Sequence, residues 1–120
     1  MTPRSGMSSE ELAKRIAAIV DEKGGRDVVA LDVHELVGYT DFLVICTARN
    51  ERQAKAIHDE LQSTLKDEGL KPARVEGERE AQWILLDYLD CVVHVFTPET
   101  RERYRLEQLW GEAEKLELDL

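Results

Sequence analysis

Two apolar stretches joined by a short acidic turn constrain the fold of this 120-residue chain more than any other segment. The stretches are residues 83–88 and 91–96, and only Leu89 and Asp90 separate them. Two runs of strand-forming residues so close together predict an antiparallel β-hairpin. The Trp and Tyr side chains in the first run carry polar tips, which need partners when they are buried. The hairpin therefore predicts a sheet that meets another molecule on one face.

The rest of the chain alternates between helical and strand-like patterns. Ser8 and Glu11 have the spacing of a capping box, which begins a helix over residues 8–23. A second amphipathic helix over residues 51–68 ends just before Gly69, where helices favour glycine. Further strands are predicted at residues 27–33, 41–47 and 71–76, and a third helix is predicted at residues 97–111.

The predicted order of elements, α-β-β-α-β-β-β-α, indicates an α/β fold with a single domain. Such an order favours one mixed sheet of about five strands with helices packed on it. We expect residues 1–7 to form a flexible N-terminal tail, residues 8–113 to form the domain and residues 114–120 to form an acidic C-terminal tail. Leucines alternate with charged residues in the C-terminal tail, so a short edge strand is the alternative to disorder there.

The charge of the chain argues against direct nucleic-acid binding. The sequence has 25 acidic and 16 basic residues, for a net charge of −9. Phosphate backbones are bound mainly through Lys and Arg, and the chain has no basic run. An acidic domain is instead attracted to a basic protein partner, although solubility alone accounts for the charge equally well.

The sequence indicates a cytoplasmic protein with no membrane contact. No apolar stretch reaches the roughly 18 to 20 residues that a membrane helix needs, and residues 1–7 lack a signal region. Cys46 and Cys91 lie within apolar strand-like runs, which suits small buried residues in a reducing compartment. A disulfide between them would require their strands to be neighbours.

Motifs for nucleophilic catalysis and phosphate binding are missing from the sequence. It contains no nucleophile elbow, no Cys-x-x-Cys pair and no glycine-rich phosphate loop. Two pairs offer metal ligands, Asp32 with His34 and Asp87 with Asp90. A zinc site needs three or four ligands, however, and Asp is the ordinary residue at a tight turn. We therefore expect no catalytic, cofactor or metal site, and a small metal-dependent enzyme in which both pairs converge is the alternative.

Three classes of function remain open from the residues alone. A protein-binding module is favoured by the acidic charge and the aromatic sheet, and the metal-dependent enzyme is the second class. A regulator that binds a small ligand is the third, but it would need a pocket that the sequence does not reveal. The histidines do not decide between them: His58 is expected to be exposed on the second helix, and His94 suits a structural or interface role beside Phe96.

Several motifs, spread over about residues 27–113, resemble those of one known family. The most specific are Trp-x-Leu-x-Asp-Tyr at residues 83–88 and Asp-x-Val-Val-His at residues 90–94, in this order. Matching segments also occur at residues 41–45, 50–57, 76–77 and 104–110. Together they resemble the Iojap-like ribosomal silencing factors. That family usually has a small residue, often Gly, at the turn position that Leu89 occupies here.

This resemblance implies a nucleotidyltransferase-like fold without transferase chemistry. It also implies a repressor of translation that acts during starvation and binds the large ribosomal subunit through its fourteenth ribosomal protein. Occupying that surface would sterically block association with the small subunit. The family is often dimeric when free, so a homodimer is a further expectation.

Under this resemblance, we expect the hairpin to contact the partner. Strand alternation places Trp83, Leu85 and Asp87 on one face and Tyr88 on the other, so both sets cannot reach a partner through the same face. We favour the Trp83 set, with Asp87 and Asp90 pairing with basic residues of the partner. The predicted partner-binding residues are Trp83, Leu85, Asp87, Tyr88, Asp90, His94 and Phe96.

Overall fold

A six-stranded mixed sheet forms the centre of the structure, a computed structural model that describes residues 7–120. The strands lie in the order β3-β4-β5-β2-β1-β6. The helices are α1 (Ser9–Glu22), α2 (Glu51–Asp67), α3 (Pro98–Tyr104) and α4 (Leu106–Leu109). The strands are β1 (Arg26–Asp32), β2 (Phe42–Thr47), β3 (Arg74–Glu76), β4 (Trp83–Asp87), β5 (Cys91–Phe96) and β6 (Glu114–Lys115).

The two central strands, β2 and β5, run parallel to each other. Their register pairs Phe42 with Cys91 and Thr47 with Phe96. The other neighbouring strands in the sheet are antiparallel, including the predicted hairpin of β4 and β5. All of β5 and nearly all of β2 are buried, as their continuous apolar runs predict for strands that are covered on both faces.

Strand alternation divides the buried side chains into two clusters, one on each face of the sheet. Helices α1 and α2 cover the first face, where they pack on Val44, Val93 and Val95. The second face carries Leu43, Ile45 and other residues. The C-terminal segment covers part of this second face through Leu106, Trp110 and Ala113.

Helices α1 and α2 both begin at a capping side chain, and α1 does so at the capping box that the sequence predicts. The Ser8 side chain accepts a hydrogen bond from the Glu11 backbone N–H at 3.1 Å, and the Glu11 carboxylate accepts one from the Ser8 N–H at 2.8 Å. Asn50 caps α2 by accepting from the Gln53 N–H at 2.9 Å. Within residues 7–120, no helix has both the length and the apolar character needed to cross a bilayer.

The single helix predicted over residues 97–111 is wrong. Arg105 adopts a left-handed conformation with φ +46°, which ends α3 and begins the short α4. The Arg101 guanidinium, whose side chain is 12% exposed, anchors this bend by donating to the Glu107 carboxylate at 2.6 Å and to the Thr47 hydroxyl at 2.9 Å. The bend turns Leu106 towards the sheet but leaves Leu109 67% exposed, so these two leucines do not share one apolar face.

The sheet has one strand more than predicted, because residues after the third helix return to it. Glu114 and Lys115 pair with β1 as an edge strand, the second alternative considered for the C-terminal tail. Leu116 and Leu118 then pack against the first cluster. The predicted N-terminal tail lies outside the described residues except for Met7, which packs against the same cluster.

We predict that Gly77→Ala destabilises the fold far more than Gly69→Ala. Both glycines have positive φ, at +82° and +87°, so both substitutions carry the left-handed strain of about 1–2 kcal/mol. Only at Gly77 would the new Cβ lie 1.9 Å from a backbone atom, the carbonyl oxygen of Trp83, whereas nothing lies within 4 Å at Gly69. In urea unfolding, the free energy of unfolding of Gly77→Ala should be lower than that of Gly69→Ala by at least about 2 kcal/mol. Equal destabilisation by the two substitutions would contradict this packing.

Candidate functional site

Trp83, Leu85 and Asp87 form a surface on the second face of the sheet, which we call the β4 face. Each of the three is half-buried, whereas the alternating residues of β4 point into the first cluster. The register places Phe96 beside Trp83 and His94 beside Leu85. The C-terminal segment covers the β1 side of the second face but leaves these β4 side chains partly exposed. The β4 face is therefore an apolar surface with an acid at one end.

The indole of Trp83 is held at the centre of an aromatic cluster. Its ring centroid lies 4.7 Å from that of Tyr104, 5.0 Å from Phe96 and 5.9 Å from His94. Such tilted arrangements are favourable beyond the area they bury. The indole Nε1 also donates a hydrogen bond to Nδ1 of His94 at 2.9 Å. One edge of Trp83 is thus fixed while part of the ring remains accessible.

His94 acts as a neutral acceptor within this cluster. Because Nδ1 accepts from the indole, the ring proton must reside on Nε2. The side chain is 6% exposed, and burial lowers the pKa of His94 to about 4. The His94 ring stays neutral at pH 7 and orients the Trp83 indole through this hydrogen bond. That role agrees with the structural or interface role predicted for His94.

The structure brings most of the predicted partner-binding residues to the second face but separates Tyr88 from them. Tyr88 points to the opposite face, where it is 2% exposed, and burial raises its pKa to about 12. Its hydroxyl has no hydrogen-bond partner among residues 7–120. Phe96 lies on the Trp83 side but is fully buried, so it supports the surface from below. Whether any of these residues binds a partner stays a prediction.

The acidic turn of the hairpin is built by its own side chains. Leu89 adopts φ +73°, which accounts for the glycine that resembling proteins usually have there. The Asp87 carboxylate accepts from the Leu89 N–H at 2.8 Å, and the Asp90 carbonyl accepts from the N–H groups of Asp41 and Phe42, each at 3.2 Å. Asp87 therefore has the turn role favoured for it, and both acids remain partly exposed.

The alternative in which two pairs converge on a metal is wrong. His34 Nδ1 lies 2.5 Å from the Asp32 carboxylate, so these two residues satisfy each other. That hydrogen bond lowers the pKa of Asp32 and raises the pKa of His34. Across the described part of the chain, no three His, Cys, Asp or Glu side chains lie close enough to share a metal ion. Asp87 ends β4 and Asp90 precedes β5, and β2 separates both of these strands from β1, which carries Asp32.

The cysteines and His58 also show no catalytic arrangement. Cys46 and Cys91 are free and buried, as predicted, and burial raises the pKa of both thiols, that of Cys46 to about 12. A thiol that stays protonated is a poor nucleophile. The expectation that His58 is exposed is wrong, because its side chain is only 12% exposed and packs between Asp59 and Gln62.

Sequence reasoning missed two contributors to the β4 face. Arg74 and Glu76 of β3 pair with Asp87 and Leu85, which places their exposed side chains at the border of the face. Tyr104, the last residue of α3, brings its ring centroid to within 4.7 Å of that of the Trp83 ring. Strand alternation within residues 71–76 could have identified Arg74 and Glu76. No local sequence pattern indicates the contact between Tyr104 and Trp83.

Comparison with known proteins identifies a family over nearly the whole chain. Residues 6–120 match the family described as "Ribosomal silencing factor during starvation". A protein named ribosomal silencing factor RsfS from Halalkalibacterium halodurans is 40% identical over 113 residues, covering 94% of this chain and 97% of that protein.

Solved structures show the same fold. A crystal structure of a Bacillus halodurans protein superposes with a TM-score of 0.81 at 38% identity, covering 91% of this chain and 99% of that one. A crystal structure of a Chromobacterium violaceum protein gives a TM-score of 0.85 at 31% identity, covering 95% and 94% of the two chains. The single α/β domain with a mixed sheet, predicted from the sequence, is thus confirmed.

We predict that the buried His94 makes the fold less stable as the pH falls from about 6.5 to about 4. The unfolded chain takes up a proton in that window while the folded chain does not, since the folded pKa is the lower one. Relative to His94→Gln, the wild-type free energy of unfolding should fall by about 2 kcal/mol between pH 7.5 and 4.5.

Urea unfolding followed by circular dichroism at each pH measures this difference. The raised pKa of His34 acts in the opposite sense, but it does so in both proteins and cancels in the comparison. If the free energy of unfolding changed with pH in the same way in the wild type and in His94→Gln, His94 would have its ordinary pKa in the folded protein.

Proposed function

We propose that this chain, which belongs to the RsfS family of ribosomal silencing factors, binds the large ribosomal subunit through its fourteenth ribosomal protein. RsfS-family proteins silence ribosomes and are not enzymes. The specific contact is the part that we infer, and we place it on the β4 face. Binding there would sterically exclude the small subunit and so repress translation.

The observation that carries this proposal is the fixed, half-exposed indole of Trp83. Trp is a frequent hot-spot residue because it buries a large area at little conformational cost. Here the hydrogen bond to His94 and the tilted contact with the Tyr104 ring have already restricted the indole before any partner arrives. A partner therefore gains contact area without having to order this side chain.

The neighbours of Trp83 supply the rest of an interface. Leu85 is half-buried beside it, and Asp87 and Asp90 place negative charge at the turn end. Ribosomal proteins are generally basic, so this charge would speed their encounter and set their orientation. An interface of standard size buries about 800 Å² per partner, so we expect the contact to extend from the β4 face onto β3 and the hairpin turn.

The buried members of the predicted set have a supporting role in this proposal. His94 and Phe96 lie beneath Trp83 and hold it in place, and Tyr88 packs the hairpin onto α1 and α2 from the other face. Substituting His94, Phe96 or Tyr88 would therefore weaken partner binding indirectly, by changing the shape of the β4 face. Trp83, Leu85 and Asp87 are the residues that would touch the partner.

The mechanism would be occlusion and would need neither a cofactor nor direct contact with nucleic acid. A net charge of −9 repels bare RNA and suits a basic protein surface. Silencing of this kind would operate in the cytoplasm, where the subunits join. A homodimer of the free protein is a separate proposal, and sedimentation at several concentrations tests it.

We predict that Trp83→Ala weakens binding to purified large subunits by about 30-fold or more, corresponding to about 2 kcal/mol. Co-sedimentation of the full chain measures this, with circular dichroism to show that the variant remains folded. Leu109→Ala is the matched control, because Leu109 is a large apolar residue that is 67% exposed outside the β4 face. Tight binding by a folded Trp83→Ala protein would place the interface elsewhere.

We also predict that Asp87→Asn slows association at low salt while changing the affinity by only about 0–1 kcal/mol. Asn keeps the carbonyl oxygen that accepts from the Leu89 N–H, so the turn is preserved and only the charge is lost. Rapid-mixing kinetics over a salt series should show the two rates converging as salt rises. Asp67→Asn, at an exposed position at the end of α2, is the control for the change in net charge. If both substitutions slowed association equally, Asp87 would not be part of the interface.

A further inference from the structure

A groove runs beside the edge strand β3, on the side of the sheet that α2 covers. Its volume is about 710 Å³, within the range of about 300–1,000 Å³ that small-molecule sites occupy. The second half of α2 forms one wall, and the chain from Leu70 to Val75 forms the other. The groove thus provides the pocket that a ligand-binding protein would need and that the sequence did not reveal.

The groove is basic although the protein is acidic. Lys66 and Lys71 line it with cationic side chains, and Asp59 is the one acid among its lining residues. Arg74 also borders the groove, but its pairing with Asp87 directs its side chain to the β4 face. The whole chain has nine more acidic than basic residues. A local excess of cations within a chain of this composition would concentrate an anion at the groove.

Two of these cations are not neutralised by the protein. Among residues 7–120, the ammonium groups of Lys66 and Lys71 form no ion pair with a carboxylate, whereas Lys14 pairs with Glu10 and Lys23 with Glu60. Arg74 is partly engaged, since its Nε lies 3.1 Å from the Glu76 carboxylate. Lys66 and Lys71 are therefore the groups with charge available for a ligand.

The remainder of the lining is suited to a flat apolar group. Pro72 and Val75, both half-buried, provide aliphatic surface, and Leu70 lies behind them at 2% exposure. The His58 ring forms part of the wall and is held in place from both sides.

Both nitrogens of the His58 ring have hydrogen-bond partners within the protein. Gln62 Nε2 donates to His58 Nε2 at 2.6 Å, and His58 Nδ1 lies 2.9 Å from the Asp59 carboxylate. The second N–H of the Gln62 amide makes no bond within residues 7–120. That leaves one neutral donor in the groove for a polar edge of a ligand.

We propose that this groove binds a phosphorylated small molecule of nucleotide size, with phosphate on Lys66 and Lys71 and a flat ring on the aliphatic wall beside His58. Inorganic phosphate alone would leave most of the volume empty. A long RNA strand would bring its charge against the acidic remainder of the chain. The proposal does not depend on ribosome binding, because the groove and the β4 face lie on opposite faces of the sheet.

The helix dipole at the C-terminal end of α2 repels an anion in the groove only weakly. The negative end of the helix dipole lies near Asp67, and its effect fades within about one turn. Lys66 occupies that last turn and offsets the dipole there. The more distal Lys71 lies beyond the helix, so a phosphate between the two lysines meets a net positive field.

Nuclear magnetic resonance of the full chain, titrated separately with ATP, GTP and UTP, tests the proposal. We expect saturable shifts of the backbone amides within residues 58–75 for at least one nucleotide, with the matching nucleoside and inorganic phosphate each at least tenfold weaker. The double variant Lys66→Gln and Lys71→Gln should weaken nucleotide binding at least tenfold. A control that removes the same charge elsewhere, Lys14→Gln with Arg103→Gln, should bind as the wild type does.

Three results would overturn this proposal. They are the absence of shifts in the groove with all three nucleotides, equal weakening by the control double variant, and stronger binding of a single-stranded RNA oligomer than of any nucleotide at the same residues. Co-sedimentation of the groove variant with large subunits separates this test from the proposed function. We expect that binding to be unchanged, so failure of one proposal leaves the other standing.

Discussion

The parallel pairing of β5 with β2 is the interaction on which the other features of this structure depend. It joins the N-terminal half of the chain to the hairpin and, through its register, aligns Val93 and Val95 with Val44 and Cys46 on the helix-covered face. Because side chains alternate along each strand, the same register sends His94 and Phe96 to the opposite face. The orientation of β4, and therefore of Trp83, follows from its pairing with β5.

The accessible surface near β4 depends on groups that are themselves buried or conformationally unusual. Trp83 is oriented by a histidine that burial keeps neutral and by Tyr104, which reaches it from the end of α3. The turn that follows β4 holds Leu89 at positive φ. These arrangements cost local stability, and the two packed clusters on the faces of the sheet support them. A surface prepared in this way loses little conformational entropy when it is covered.

The distribution of charge gives the two faces different binding preferences. The acids at the turn of the hairpin favour a basic protein partner at the β4 face, whereas Lys66 and Lys71 favour an anion in the groove beside α2. Net charge alone pointed to the first preference and concealed the second, because a chain total does not reveal local clusters. Strand β3 borders both sites, because Arg74 and Glu76 point to the β4 face while Val75 points to the groove.

The sequence by itself determined the strands, the first two helices and the side of the hairpin on which each residue lies, because these follow from local spacing and from strand alternation. It also determined the family, through motifs that include Trp83 and His94. Only the tertiary structure decided that β6 closes the sheet, that the last helix breaks at Arg105 and that His58 is largely buried. Those outcomes depend on contacts between residues far apart in the chain, such as Arg101 with Thr47, which no local pattern encodes.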